Sequence, residues 1–432
     1  MDWLIALSLI ATGSAIFVYR YPNDQKRLFA LALAAHLVAA WLQIEVTLGY
    51  YDGGDQFGYH QVGLKVARAL DDDFSRWAGT FVSYTLGKFV LLPFPTAMLG
   101  NTTASTVGLC GWLMWVFRIE SMFSLSIMLA FFATCGQFLI YRFFIDRLPN
   151  VPRGHLAFCS LFVPSTTYWA SGATKESFVV LALGLIIAGL DAIDKQDYSF
   201  RGISALVVGA TLASITKPYF LFPLAISAAV FIYANTTIRA KGRFEIRGRA
   251  FVTAVAVGIL AVVGLGRLFP RFAYEQVAQN MAQLQQYAGQ GGSGYVIGDP
   301  GAKSLVAQAA FAPLALFYSL FRPTVFEVYS ATTAASALET TFCTVLLLQV
   351  FWRFGFASTA KRIINDPVLL SFFAFIVLCG VSIGLSTTNL GTLSRYRAPM
   401  MPFYFALLVT LRRADEGVRK ERGAFRFEGH VW

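Results

Sequence analysis

Apolar residues run along this chain in blocks of about 20, the length a helix needs to cross the hydrocarbon core of a bilayer. Such blocks fall near 3–19, 28–48, 81–99, 104–119, 121–145, 155–171, 176–194, 202–216, 218–234, 250–269, 335–353, 367–386 and 397–411. They predict an all-α polytopic membrane protein with about 11–13 transmembrane helices in a single domain, residues 1–411, followed by a short basic tail, 412–432. Between the second and third blocks the period changes character. Gln56–Leu70 sets Phe57, Val62, Leu64, Val66, Ala67 and Leu70 against His60, Lys65 and Arg68, which predicts an amphipathic helix lying in the membrane interface. Trp77–Leu92, with Lys88 inside it, reads as a second one.

Composition excludes the soluble alternatives. The chain is 56% hydrophobic and 14% charged, where a soluble domain carries about 25% charged residues. The net charge of +11 has a topological reading, because basic residues collect in short segments between apolar blocks: Arg20, Lys26 and Arg27; Arg142, Arg147 and Arg153; Lys195 and Arg201; Arg239 to Arg249; Arg353, Lys361 and Arg362; and the tail. The positive-inside rule assigns these to the cytoplasm, so no nucleic-acid partner is expected. Ser304–Phe321 is long enough to cross, but crossing there would put Arg353, Lys361 and Arg362 outside. It is therefore expected to be re-entrant or interfacial. The blocks 81–99 and 104–119 can also be interfacial without disturbing parity. The outer loops become 49–80, 270–303 and 387–396. Five cysteines stand singly inside apolar stretches and read as packing residues.

With the basic clusters inside, the remaining charged residues gather on the outer side, and charges near a bilayer tend to mark working sites. Tyr50-Tyr51-Asp52-Gly53-Gly54-Asp55 opens the first outer loop. Asp55, and second Asp52, could act as a general base on an acceptor hydroxyl or hold a divalent cation such as Mg or Mn; Asp55 reads equally as the N-cap of the next helix. His60 and Glu176 are candidates to contact an acceptor or sugar. Lys175 stands at an outer helix start, where a cation suits a bound anion or a plain ion pair with Glu176. Lys217 precedes Pro218 at another outer hairpin, and Arg322 follows the re-entrant segment. Arg395 and Arg397 open the last block with planar forks that match phosphate oxygens. Tyr287 and Tyr295 flank a glycine cluster, Gly289 to Gly294, after a glutamine-rich stretch, a composition suited to sugar hydroxyls and to a closing segment. Gly291-Gly292-Ser293-Gly294 lacks the Lys-Ser/Thr ending of a phosphate-binding loop, four histidines are too few for a multi-histidine zinc site, and no Gly-x-Ser-x-Gly elbow is present.

An Asp in the first large outer loop, interface helices after it, the turn Trp169-Ala-Ser-Gly-Ala-Thr-Lys175-Glu176 and the Arg395-x-Arg397-x-Pro399 start of the last helix together resemble bacterial C-type membrane glycosyltransferases. The layout is also similar to the membrane polymerases of O-antigen and exopolysaccharide assembly. The first resemblance implies transfer of a sugar from a polyprenyl-phosphate or diphosphate donor to a glycan or lipid acceptor, on the outer face of the bacterial cytoplasmic membrane. Asp55 would be the base, and Lys175, Arg395 and Arg397, with Lys217 and Arg322, the donor-phosphate contacts. The second resemblance implies joining of lipid-linked repeat units in polysaccharide biosynthesis. A flippase or transporter is a third reading; it calls for polar residues at mid-span and repeated halves, neither of which is clear in the sequence.

Overall fold

The computed structural model describes residues 2–50, 53–98, 100–241, 256, 297, 310–387 and 389–413, and every regular element among them is helical. In chain order these are α1 (Asp2–Val18), α2 (Asn23–Glu45, running on as a π turn, Val46–Tyr50), α3 (Asp55–Asp72), α4 (Phe74–Thr85), α5 (Asn101–Phe117), α6 (Met122–Arg147), α7 (Arg153–Leu161), α8 (Pro164–Trp169), α9 (Lys175–Asp194), α10 (Phe200–Thr216) and α11 (Leu221–Lys241). They continue with α12 (Ala312–Phe321), α13 (Ala331–Phe354), α14 (Phe356–Asn365), α15 (Pro367–Ser386), α16 (Leu390–Arg397) and α17 (401–413). Six of the described helical stretches are long and apolar enough to cross a membrane: Asn23–Tyr50, Met122–Arg147, Lys175–Asp194, Pro218–Arg239, Ala331–Phe354 and Pro367–Ser386. This is compatible with a multi-pass membrane protein.

Two expected blocks differ: the first breaks just past Thr85, where Gly87 takes a left-handed φ of 71°, with prolines further on, and the second breaks at a proline. The block 81–99 is not one helix: α4 stops at Thr85 and no helix follows before α5. Pro93 and Pro95 each lack an N–H and push the residue before them out of the helical region. The block 155–171 is cut into α7 and α8 at Val163, whose ψ of 119° is extended because Pro164 follows it. The expected span 250–269 and most of the loop 270–303 lie outside the described residues.

The chain forms two compact units. One comprises Met1–Phe143 with Ser160–Leu221, the other Phe144–Cys159 with Phe222–Trp432. In the first, α9 packs along α10, and α3 lies on α5. The buried positions of α3, Gln56, Tyr59, His60, Val62, Gly63, Val66, Ala67, Ala69 and Leu70, fall on one side of the helix. Phe138 of α6 meets Phe17, Tyr21 and Phe29 with ring centroids 5.2–5.9 Å apart, joining α1 and α2 to α6. Where α6 crosses α9 the backbones touch: a Cβ on Gly184 would overlap the backbone of Gly136. With lipid outside there is little hydrophobic drive between helices, so such close approach supplies the packing.

In the second unit α12 packs on α15, and α14 bridges α13 and α15. Phe403 of α17 sits between Phe144, Phe372 and Phe375 at 5.0–5.6 Å. Asp366 caps α15, accepting from the Val368 and Leu369 N–H groups at 2.9 and 3.1 Å. All five cysteines are buried and free, as packing residues would be.

Replacing Gly184 by Leu should force α6 and α9 apart and cost about 1–3 kcal/mol of overpacking. Thermal unfolding of the detergent-purified protein should show the loss, with Gly154→Leu, which meets open space, as the control.

Candidate functional site

In the first unit the chemistry converges on the turn between α8 and α9. Thr174 Oγ1 donates to Trp169 O (2.9 Å) and Ser177 Oγ to Gly172 O (2.6 Å), so the turn is folded onto the first coil of α9. That fixes Lys175 and Glu176 as the first two helical residues. Lys175 Nζ donates to Thr102 Oγ1 (2.9 Å) and Thr103 Oγ1 (3.1 Å) at the start of α5, and lies 6.0 Å from the Tyr59 ring centroid. Glu176 accepts from Lys217 Nζ at 2.5 Å, with side-chain exposures of 0% and 3%. The Lys217 ammonium also stands 5.8 Å from the Tyr219 ring centroid. A charge buried alone would cost several kcal/mol; pairing offsets it. Glu176 thus forms a buried ion pair with Lys217, from the end of the next helix.

The α3 start meets the same turn. Gln56 Nε2 donates to Ser126 Oγ at 3.1 Å, and a Cβ on Gly172 would run into the side chains of Gln43 and Gln56. Only glycine fits at 172, where two glutamines reach the backbone. Asp55, exposed, is the first residue of α3 with Gly54 as N-cap. It stands one residue before Gln56 and one helical turn before Tyr59, whose ring faces Lys175. Asp55, Lys175, Glu176 and Lys217 are therefore brought to one region of this unit. His60 is buried and donates from Nε2 to Glu120 O at 2.7 Å, which tethers α3 to the α5–α6 turn. Asp52, Tyr287 and Tyr295 lie outside the described residues. Among the described residues no group of three His, Cys, Asp or Glu side chains is arranged to hold a metal ion.

A buried polar cluster beside this turn escaped the sequence reading. His36 of α2 bonds Ser171 Oγ through Nδ1 (2.6 Å) and Gln137 Oε1 of α6 through Nε2 (2.9 Å). The neutral imidazole has one ring N–H to give to these two contacts, and the Ser171 hydroxyl also donates to Thr167 O at 2.5 Å. Gln43, 2% exposed, keeps both amide atoms without a hydrogen-bond partner. His36 and Gln43 are seven residues apart, two turns along one face of α2; that spacing was the available signal.

The second unit holds the other basic residues. Arg397, 1% exposed, donates from Nη1 to Arg322 O (2.6 Å) and Ser319 O (3.5 Å), and from Nη2 to Ser336 Oγ (2.7 Å), Thr340 Oγ1 (2.7 Å) and Ser336 O (3.3 Å). Its fork is turned into the protein and ties α16 to α13 and to the end of α12. Arg322 pairs with Glu327 and lies 4.3 Å from the Tyr318 ring centroid. Arg395 is half-buried on α16. Partial burial works to raise the Glu327 pKa, but the Arg322 hydrogen bond, the Thr324 N–H and hydroxyl, and the Arg322 charge together hold it below the ordinary 4.5.

The chain matches no protein-family model, and no curated protein or solved structure matches it.

Glu176→Gln should leave the Lys217 ammonium buried opposite a neutral amide and cost about 3–5 kcal/mol. Adding Lys217→Met should recover most of that loss, as read by a double-mutant cycle of thermal unfolding. Glu327 sets a pH dependence. Its lowered pKa makes its contribution complete above the unfolded carboxylate value and lost as pH falls through the folded one. The stability gap between wild type and Glu327→Gln should therefore be full at neutral pH and close on acidification below pH 4.5.

Proposed function

We propose that the protein is a membrane glycosyltransferase that moves a sugar from a polyprenyl-phosphate or diphosphate donor to a glycan or lipid acceptor on the outer face of a bacterial cytoplasmic membrane. The observation that carries this reading is the meeting of the α3 start, with Asp55, and the α8–α9 turn, with Lys175, Glu176 and Lys217. Transfer from such a donor releases a lipid phosphate. It needs a base for the acceptor hydroxyl and positive charge for the leaving group. Asp55, exposed at a helix start, suits the base. Lys175, oriented by two neutral hydroxyls and an aromatic ring, suits the leaving phosphate. Glu176 holds Lys217 in place, which keeps a second ammonium at the same level. Arg397 enters as a positioning residue within the second unit, its guanidinium engaged by carbonyl and hydroxyl oxygens. The topology behind the outer-face assignment, with about 11–13 crossings, rests on the positive-inside rule.

The polymerase reading shares the donor class and differs in product. Incubating the reconstituted protein with a polyprenyl-phosphate sugar and, separately, with lipid-linked repeat units separates the two: a single added sugar supports transfer, a ladder of lengths supports polymerisation. Asp55→Asn should lower turnover by at least about a hundredfold, the contribution of a general base, without changing the unfolding temperature. Unchanged turnover in that variant would remove Asp55 from the chemistry, and no reaction with either donor would remove the proposal.

A further inference from the structure

A second polar feature lies well along the chain from that site. A cavity of about 580 Å³ is lined by Ala15, Ile16 and Phe17 at the end of α1, Tyr19, Arg20 and Tyr21 in the turn after it, and Arg201 at the start of α10. Its volume falls within the range of small-molecule sites, and its lining is divided: three apolar side chains, then two guanidinium groups with two phenols. No ion pair joins Arg20 or Arg201 to a carboxylate among the described residues. The carboxylate of Asp197, four residues before Arg201, is occupied by the Ser199 N–H at 3.1 Å. A third guanidinium, Arg142, stands 5.3 Å from the Tyr21 ring centroid.

The surroundings identify what reaches this cavity. Ile16, Tyr19, Tyr198 and Phe200 are 73, 76, 66 and 88% exposed. Bare aromatic and aliphatic side chains that alternate with arginines at helix ends mark the level where lipid headgroups meet hydrocarbon. A soluble anion would use the guanidinium groups and leave the apolar wall bare. A phospholipid uses both.

We propose that this cavity is a binding site for an anionic phospholipid, the phosphate held between Arg20 and Arg201 and the start of an acyl chain against Ile16 and Phe17. The basic segments containing both arginines are those the positive-inside rule assigns to the cytoplasm, the leaflet face where anionic lipids attract basic pockets between helices. The site is independent of the glycosyltransferase reading, and its occupant is not the donor of that reaction.

The test uses the full-length protein purified in detergent, with unfolding temperature and native mass spectrometry as readouts. Phosphatidylglycerol should raise the unfolding temperature and remain attached in the spectrometer, whereas phosphatidylcholine with the same acyl chains and inorganic phosphate should do neither. In Arg20→Gln/Arg201→Gln, affinity for phosphatidylglycerol should fall about 30-fold, equivalent to about 2 kcal/mol for two basic residues near an anionic lipid. Arg20→Lys/Arg201→Lys, which keeps both charges, should retain most of it. Equal retention of phosphatidylcholine, equal stabilisation by inorganic phosphate, or undiminished phosphatidylglycerol binding in the glutamine variant would each overturn the proposal. Because lipid retention is counted on folded ions, a variant that is merely less stable still gives a reading.

Discussion

A lysine and a glutamate with almost no exposure, 2.5 Å apart, impose the strictest condition on the first unit. In an apolar surround neither charge can be solvated elsewhere, so the helices carrying them must end at the same level. Glu176 opens α9, and Lys217 directly follows α10. The pair therefore fixes the register of two helices that pack along their whole length. A slip of one helical turn, 5.4 Å, would separate the charges where separation is most expensive. The turn that precedes α9 is fixed by the same condition, since its hydroxyls and carbonyls close onto the first coil of the helix. Everything the site offers, the Lys175 ammonium against two threonines and the glutamines against Gly172, is built outward from that register.

The second unit solves a related problem with one cation. The last carbonyls of a helix have no partner within it, and the helix dipole leaves that end negative. Arg397 meets the Ser319 and Arg322 carbonyls at the end of α12, and with its other nitrogen the Ser336 and Thr340 hydroxyls of α13. The end of a short apolar helix is thereby met by a side chain of the protein. The planar fork matters because two nitrogens must serve two elements at once; a lysine in that place has one point of contact.

Much of the architecture was legible because hydropathy and capping agree. The block 367–386 is α15 to the residue, with Asp366 as cap and Pro367 at the first position, where its missing N–H costs nothing. The block 81–99 misled because a hydropathy average is blind to Gly87, left-handed two residues past the end of α4, and to Pro93 and Pro95 after it. Lys175, Glu176 and Lys217 stood out as charges against apolar runs, but the pairing of Glu176 across 41 positions did not, since nothing in one helix encodes which neighbour faces it. Arg397 shows the limit most clearly. As a sequence it reads as an arginine at a membrane boundary, open to phosphate; in the fold its neighbours are carbonyls and hydroxyls from residues about 60 and 75 positions away.

The polar cluster at mid-helix bears on the choice between transfer and transport. His36 and Gln137 are the kind of side chains a translocation path requires, and sequence alone did not bring them out. Their partners, however, are each other and Ser171, and all three residues are fully buried. These contacts cross between helices and hold them together. The cluster joins α2 and α6 to the residue just before Gly172, at the base of the turn that carries Lys175 and Glu176. Its physical effect is to hold that turn rigid against two long helices. A transferase gains more from such rigidity than a carrier does, because charges aimed at a leaving group work best when they need not reorganise during the reaction.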